Sequence, residues 1–387
     1  MHAIIPRAAL LRMIATCHPF ATTKSAMPML GNVLLSAENG ALAMRSTDLY
    51  NTAEDGGPTL VKHPGAVAID ANRLAWLVST MPSEGVEIRS TPNKGTSIAT
   101  PNGAMRFTFD AWDAAEFPRA PAPVEGEQGS IPAATLARLI DQTAFSISTD
   151  ETRPHVNSLF VTFEGATMRA VSTQGHMVAV ASADLFDVGT LARLWMIPRP
   201  AVMALRAMTA AAPSVEAVGV TVGPVFARFQ VRTASLTVRM VDASFPPWRN
   251  VVPASFKCRA EVPREAMIEA VRLVSMANDL PSTRLRRWRP VTRRGPWLRS
   301  SRDAMVRVEV KEGKMTITAE SGDGEARIKV KSTGEPMSVG FTADYLLNSL
   351  RALRGEVVTV EGSDALDAAK LSDASGEAFY GIMPARI

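Results

Sequence analysis

Apolar positions along the chain fall into a block that is used more than once. Pro6 stands where proline suits a first helical turn, and Leu10, Leu11 and Ile14 follow at helical spacing. Short alternating stretches at Leu30–Leu35 and Ala41–Arg45 predict strands around an Asn39-Gly40 turn. A second helix is expected from Asp70, a good N-cap, through Leu74 and Leu77. Strands should return at Val86–Arg89, Ser97–Thr100 and Met105–Phe109. Further along, the spacing predicts helices over 132–143, 199–210, 263–277 and 343–353.

The block recurs at a fixed distance. Ile5-Pro6 returns as Ile131-Pro132, and the same offset of 126 carries Leu10 to Leu136, Leu30 to Val156, Leu34 to Phe160 and Thr47-Asp48 to Thr173-Gln174. A third copy opens at Val262-Pro263. A period of this size predicts similar domains, not a thin solenoid. Phe117-Pro118 and Phe245-Pro246 close the first two copies, and Pro-rich linkers follow at 118–129 and 246–257. The expected organisation is α+β, with three similar domains of two helix-plus-strands units each: 1–128, 129–255 and 256–387.

The third copy is interrupted. Pro6 to Gly40 spans 34 residues and the matching Pro263 to Gly313 spans 50, a surplus of 16. The surplus, near 281–302, lies between a helix and a strand, where extra length is tolerated. It changes the charge picture. The formal net charge is +4, yet 284–302 hold eight arginines and no acid, so the rest of the chain is at −4.

Composition sets the remaining bounds. At 387 residues, with 46% hydrophobic and 21% charged residues, this reads as an ordinary globular chain of two or three domains. No apolar run approaches the ~20 residues of a membrane span. The start lacks the pattern of a signal peptide, so a cytoplasmic location is expected. Cys17 and Cys258 read as small buried residues.

Catalysis finds little support. Histidines 2, 18, 63, 155 and 176 show no metal-ligand spacing, and HExxH, CxxC, Walker and GxGxxG patterns are absent. Lys331-Ser332-Thr333-Gly334 resembles one box of penicillin-binding proteins, without its Ser-x-x-Lys partner. Neither an enzyme activity nor a metal or cofactor is expected.

Several stretches together resemble the bacterial sliding clamp family, the DNA polymerase III beta subunit. They are Leu30-Gly31-Asn32-Val33-Leu34-Leu35 with Ser46-Thr47-Asp48-Leu49, Asp150-Glu151-Thr152-Arg153-Pro154 leading to Ser172-Thr173-Gln174-Gly175-His176, Phe245-Pro246, and the terminal Ile382-Met383-Pro384-Ala385-Arg386-Ile387. The likeness runs the length of the chain, in order. It implies the DNA clamp fold: a head-to-tail homodimer closed into a ring, with helices lining a hole around duplex DNA. Its implied partners are the polymerase III alpha subunit, the clamp loader and other proteins with clamp-binding motifs.

Helices of all six units carry arginine, as such a ring requires: Arg7, Arg12, Arg73, Arg138, Arg199, Arg206, Arg264, Arg272, Arg351 and Arg354. Presented to phosphates, these bind DNA without reading sequence. By the resemblance, Lys24 matches a basic DNA-contacting position. His155 and Pro154 stand in the equivalent loop, where the family often has aromatic residues. The pseudo-symmetry puts the insertion on that same face. There Arg284, Arg286, Arg287, Arg289, Arg293, Arg294, Trp288 and Trp297 combine phosphate attraction with stacking platforms.

The resemblance also implies a partner-peptide cleft at Val156, Thr173, Gly175, His176, Met177, Val178, Pro246, Asn250, Val251, Met383, Pro384, Ala385 and Arg386. Met177 and Asn250 replace the family's usual arginines, and Ala385 its usual methionine. Phe107 resembles an apolar anchor of the ring interface, with Val274 and Met276 in the corresponding region of the third domain. A specialised paralogue for repair or drug resistance, and a monomeric DNA-binding scaffold that never closes, are the alternatives.

Overall fold

Each copy of the repeat begins with one local arrangement, visible in a computed structural model that describes residues 1–22, 25–91, 95–110, 112–120, 122–186, 189–191, 194–210, 212, 216–277, 304–364 and 366–386. A strand ending in proline runs straight into a helix. The strands are His2–Pro6, Glu127–Pro132 and Cys258–Pro263, and the helices are α1 (Arg7–Cys17), α3 (Ala133–Thr143) and α5 (Arg264–Ala277). Proline fixes the φ a helix needs and spares an amide that would have no intrahelical partner. The next amide is satisfied the same way each time: Arg7 donates to the Glu84 carbonyl, Ala133 to Glu216 and Arg264 to Glu356, at 2.7, 2.8 and 2.8 Å.

The second helix of each copy is α2 (Ala71–Thr80), α4 (Arg199–Ala210) or α6 (Ala343–Ala352). Asp70 caps α2, its carboxylate accepting from the Arg73 amide at 2.7 Å. All six helices lie where the apolar spacing puts them, and the predicted strands fall within a few residues of Asn32–Glu38, Ala41–Thr47, Gly85–Thr91, Gly95–Ala99 and Arg106–Phe109. Asn39 and Gly40 both take positive φ, 51° and 74°, which a two-residue hairpin turn of this hand demands.

The chain packs as two units: Met1–Ile140 with Ser158–Met168 and Asp184–Ala243, and Asp141–Asn157 with Arg169–Ala183 and Ser244–Ile387. The first unit holds two sheets. One has the strands His2–Pro6, Gly85–Thr91, Gly95–Ala99 and Arg106–Phe109 with Leu60–His63 at its far edge. The other has eight strands and joins two copies of the repeat, where Thr52, Ala53 and Glu54 pair antiparallel with Thr237, Leu236 and Ser235.

In the second unit, Met177–Asp184, Ala378–Ile382, Ala369–Asp373, Val357–Gly362, Cys258–Pro263 and Lys331–Gly334 lie side by side. A four-stranded sheet accompanies them: Glu325–Lys329, Lys314–Ala319, Met305–Lys311 and Met337–Thr342. Val306, Val308, Val310, Met315 and Ile317 are buried in that sheet at 2% exposure or less.

Two arginines tie the helices of a copy together. Arg7 donates from Nε to the Val78 carbonyl at 2.7 Å and from Nη2 to the Ser79 carbonyl at 2.6 Å, in the last turn of α2. Arg264, its counterpart, donates from Nη1 to Leu350 and Leu353 at the end of α6, at 3.4 and 3.3 Å. A cation there satisfies orphan carbonyls and meets the negative end of the helix dipole. Arg7→Ala is expected to lower stability by about 1–2 kcal/mol; urea denaturation showing no loss would leave the staple without energetic weight.

Candidate functional site

Three segments of the second unit meet around the end of the chain. The first is the loop into strand Met177–Asp184. Thr173 Oγ1 donates to the Met177 carbonyl at 2.7 Å and accepts from the Gly175 amide at 3.1 Å. Gly175 takes φ +104°, a conformation that side chains rarely adopt. The second is the end of strand Ala378–Ile382, where Met177 faces Ile382, Val178 faces Gly381, and the Met383 amide donates to the His176 carbonyl at 2.9 Å. Beyond it, the Ala385 amide donates to Gly340 at 2.8 Å, so the tail is held in place.

The third segment is 246–252. The Trp248 amide donates to the Pro246 carbonyl at 2.7 Å, and the Trp248 ring lies 6.3 Å from that of Phe379 and 4.6 Å from the Arg249 guanidinium. Its close approach depends on Gly381, because a Cβ there would sit 2.5 Å from Val252 Cγ2.

The expected cleft residues therefore divide by depth. Gly175, His176, Asn250, Val251, Met383 and Arg386 are exposed, Val251 and Met383 by 40% and 36%. Thr173, Pro246, Pro384 and Ala385 are half-buried. Val156, Met177 and Val178 are buried at 2% or less. Met177 has turned inward, and its sulfur accepts from Ser349 Oγ of α6 at 3.5 Å. Tyr345 on the same helix reaches Gln174 Oε1 at 3.5 Å. Neither α6 residue was expected at the site, and no local signal marks them, since they stand about 170 residues away in sequence.

The expected DNA-contacting arginines divide too. Arg73, Arg206, Arg272, Arg351 and Arg354 are exposed, and Arg138, Arg199 and His155 half-buried. Arg7 and Arg264 are engaged with helix ends, as above. Arg12 forks onto the buried carboxylate of Asp55, with Nε 3.0 Å from Oδ2 and Nη2 3.2 Å from Oδ1, and also donates to the Gly56 carbonyl at 2.6 Å. Lys24 and the insertion, with Arg284, Arg286, Arg287, Trp288, Arg289, Arg293, Arg294 and Trp297, lie outside the described residues.

At the expected ring interface, Phe107 is 40% exposed on an edge strand. Val274 is not available in the same way: it is 4% exposed and faces the core of its own unit, whereas Leu273 beside it is 57% exposed. One residue along a helix turns a side chain by about 100°, which separates the two. Met276 is half-buried.

Both cysteines are free and buried, and burial, followed by the Asp55 carboxylate, pushes the Cys17 thiol pKa up, away from nucleophilic use. Among the described residues, no three His, Cys, Asp or Glu side chains converge as metal ligands. No helix among them is long and apolar enough to cross a membrane.

Residues 1–121, 130–247 and 294–386 match the N-terminal, central and C-terminal domains of the DNA polymerase III beta subunit. The beta sliding clamp of Caulobacter vibrioides is 27% identical over the whole of both chains, and that of Escherichia coli K12 is 28% identical over 93% of each. Among solved structures, the Caulobacter crescentus clamp is 27% identical with a TM-score of 0.79, covering all of this chain and 99% of that one. The Thermotoga maritima beta subunit reaches a TM-score of 0.82 at 17% identity, over all of this chain and 99% of its own.

The chain belongs to the DNA polymerase III beta subunit family of sliding clamps. Its place is that of a non-catalytic processivity subunit, not an enzyme.

Proposed function

We propose that this chain forms a homodimeric ring around duplex DNA in the cytoplasm and tethers the polymerase III alpha subunit, with the clamp loader and other partners sharing its peptide cleft. In this reading each protomer contributes three domains, bounded near 128 and 255. Family membership along the whole chain carries the proposal. The expected cleft residues support it: Val156, Met177 and Val178 are buried, Val251 and Met383 are exposed apolar side chains, and the tail is held by backbone hydrogen bonds, which suits docking of an apolar peptide side chain. Arg73, Arg272, Arg351 and Arg354, exposed on or beside helices, are the arginines best placed to meet phosphates. Phe107 and Leu273 supply apolar surface for a heterologous contact.

Retention on circular DNA, with release when the circle is cut, is the expected behaviour. Equal release from circular and linear DNA, or a monomer by light scattering, would support the open scaffold instead.

The half-buried Ala385 and exposed Asn250 favour a specialised cleft, because a flexible apolar wall and a cation of the family are both missing. A peptide bearing the polymerase clamp-binding motif is expected to bind more tightly to an Ala385→Met, Asn250→Arg variant than to the natural protein. Equal affinities by calorimetry would remove the case for specialisation.

A further inference from the structure

The seam between the first two copies of the repeat, inside the first unit, holds a cavity of about 400 Å³. Its walls include Pro123, Val124, Glu125, Val225, Phe226 and Thr237. Val225 and Phe226 remain 47% and 37% exposed although both are large and apolar. Linker and sheet are in backbone contact here: a Cβ on Gly223 would sit 2.7 Å from the Glu125 carbonyl oxygen. Phe226 pairs across the strands with Arg239, which puts both side chains on one face. The Arg239 guanidinium lies 5.3 Å from the centre of the Tyr50 ring and has no carboxylate partner among the described residues. Leu49 and Tyr50 next to it are 56% and 59% exposed.

The repeat gives this seam a meaning. Thr47 Oγ1 donates to the Asn51 carbonyl at 2.7 Å and accepts from the Leu49 amide at 3.0 Å, the same turn that Thr173 makes with Met177 and Gly175 in the cleft. Ser46 Oγ donates to Cys17 and Ser172 Oγ to Thr143, each at 2.5 Å and each 126 residues from its counterpart. By that offset Tyr50 stands for His176. By the 128-residue offset of the Phe-Pro motifs, Pro123 stands for Val251. Thr52 pairs with Thr237 as Val178 pairs with Gly381, so Arg239 stands for Met383. The seam thus repeats the architecture of the cleft, with Arg239 and Tyr50 at the positions of Met383 and His176.

We propose that this seam is a second docking site, taking an extended segment of another protein that carries an apolar side chain next to a carboxylate. The apolar group fills the cavity against Val225 and Phe226, and the carboxylate pairs with Arg239, the cross-strand neighbour of Phe226. A cavity of this size holds one or two side chains, which suits an extended segment anchored by an apolar residue. The inference rests on the reading of the cleft as a peptide site, since the repeat transfers that role.

Randomised nine-residue peptides displayed on phage, selected against full-length protein carrying Val251→Asp to block the cleft, test it. Enriched peptides should combine an apolar residue with Asp or Glu, and Arg239→Glu should weaken them about tenfold or more. Arg239→Gln, uncharged and similar in length, should act in the same direction, which separates the effect from misfolding. No enrichment, or enriched peptides indifferent to both Arg239 variants and to Phe226→Ser, would overturn the proposal. The cleft is judged separately: a peptide with the polymerase clamp-binding motif should lose binding on Val251→Asp and ignore Arg239→Glu. Failure there, with peptides still enriched at the seam and sensitive to Arg239, would overturn the reading of the cleft and leave the seam standing on its own binding data.

Discussion

Arg12→Ala is expected to destabilise the protein by about 3–5 kcal/mol, more than the loss of any exposed helix arginine. The Asp55 side chain is wholly shielded from solvent, and its carboxylate is neutralised by the Arg12 fork. Thr233 Oγ1 adds a neutral donor at 2.9 Å, as does the Gly56 amide at 2.7 Å. Removing Arg12 leaves a charge in the interior with neutral donors only, and desolvation then dominates over what those donors return. The comparison is Arg73→Ala, whose side chain is exposed and should change stability by no more than about 0.5 kcal/mol. DNA affinity should order the two the other way, with Arg73→Ala the more harmful in protein that is still folded. Urea denaturation giving less than about 1 kcal/mol for Arg12→Ala would mean that water reaches the Asp55 carboxylate once Arg12 is gone.

The contrast between Arg12 and Arg73 shows where sequence reading stops. All six helices and the Asn39-Gly40 hairpin were legible because their signals are local: apolar spacing, an N-cap, a proline at the first turn, a turn needing two positive φ angles. The Thr173–Met177 segment was marked by the family resemblance, and the repeat noted Thr47-Asp48 at Thr173-Gln174, where the structure shows the same turn twice. What an arginine is already bonded to is not local. Arg7 meets Val78, Arg12 meets Asp55 and Arg264 meets Leu350, at separations of 71, 43 and 86 residues, and nothing near these arginines announces it. The same holds for Ser349 behind Met177. Val274 and Leu273 differ for another reason. The resemblance marked a region, but the phase of α5 decides which neighbour faces solvent, and a one-residue shift reverses the answer.

Deleting 284–302 should produce the largest change in DNA binding. The deletion removes eight arginines and no acid, taking the formal charge from +4 to −4. Affinity that depends on phosphate neutralisation falls with salt, with a logarithmic slope of about 0.9 for each phosphate contact on duplex DNA. Two or more engaged arginines would therefore flatten the slope by about 2 on deletion. Trp288 and Trp297 sharpen the expectation, because aromatic rings stack on unpaired bases and not on the outside of a duplex. Loss should be greater on a primed single-strand junction than on blunt duplex of equal length. Replacing only the two tryptophans with alanine should remove that difference and keep the salt slope, since no charge is lost. If the deleted protein binds both DNAs with unchanged affinity and slope, the arginines serve something other than DNA, and an anionic partner protein becomes the better reading of the one place where the third copy departs from the other two.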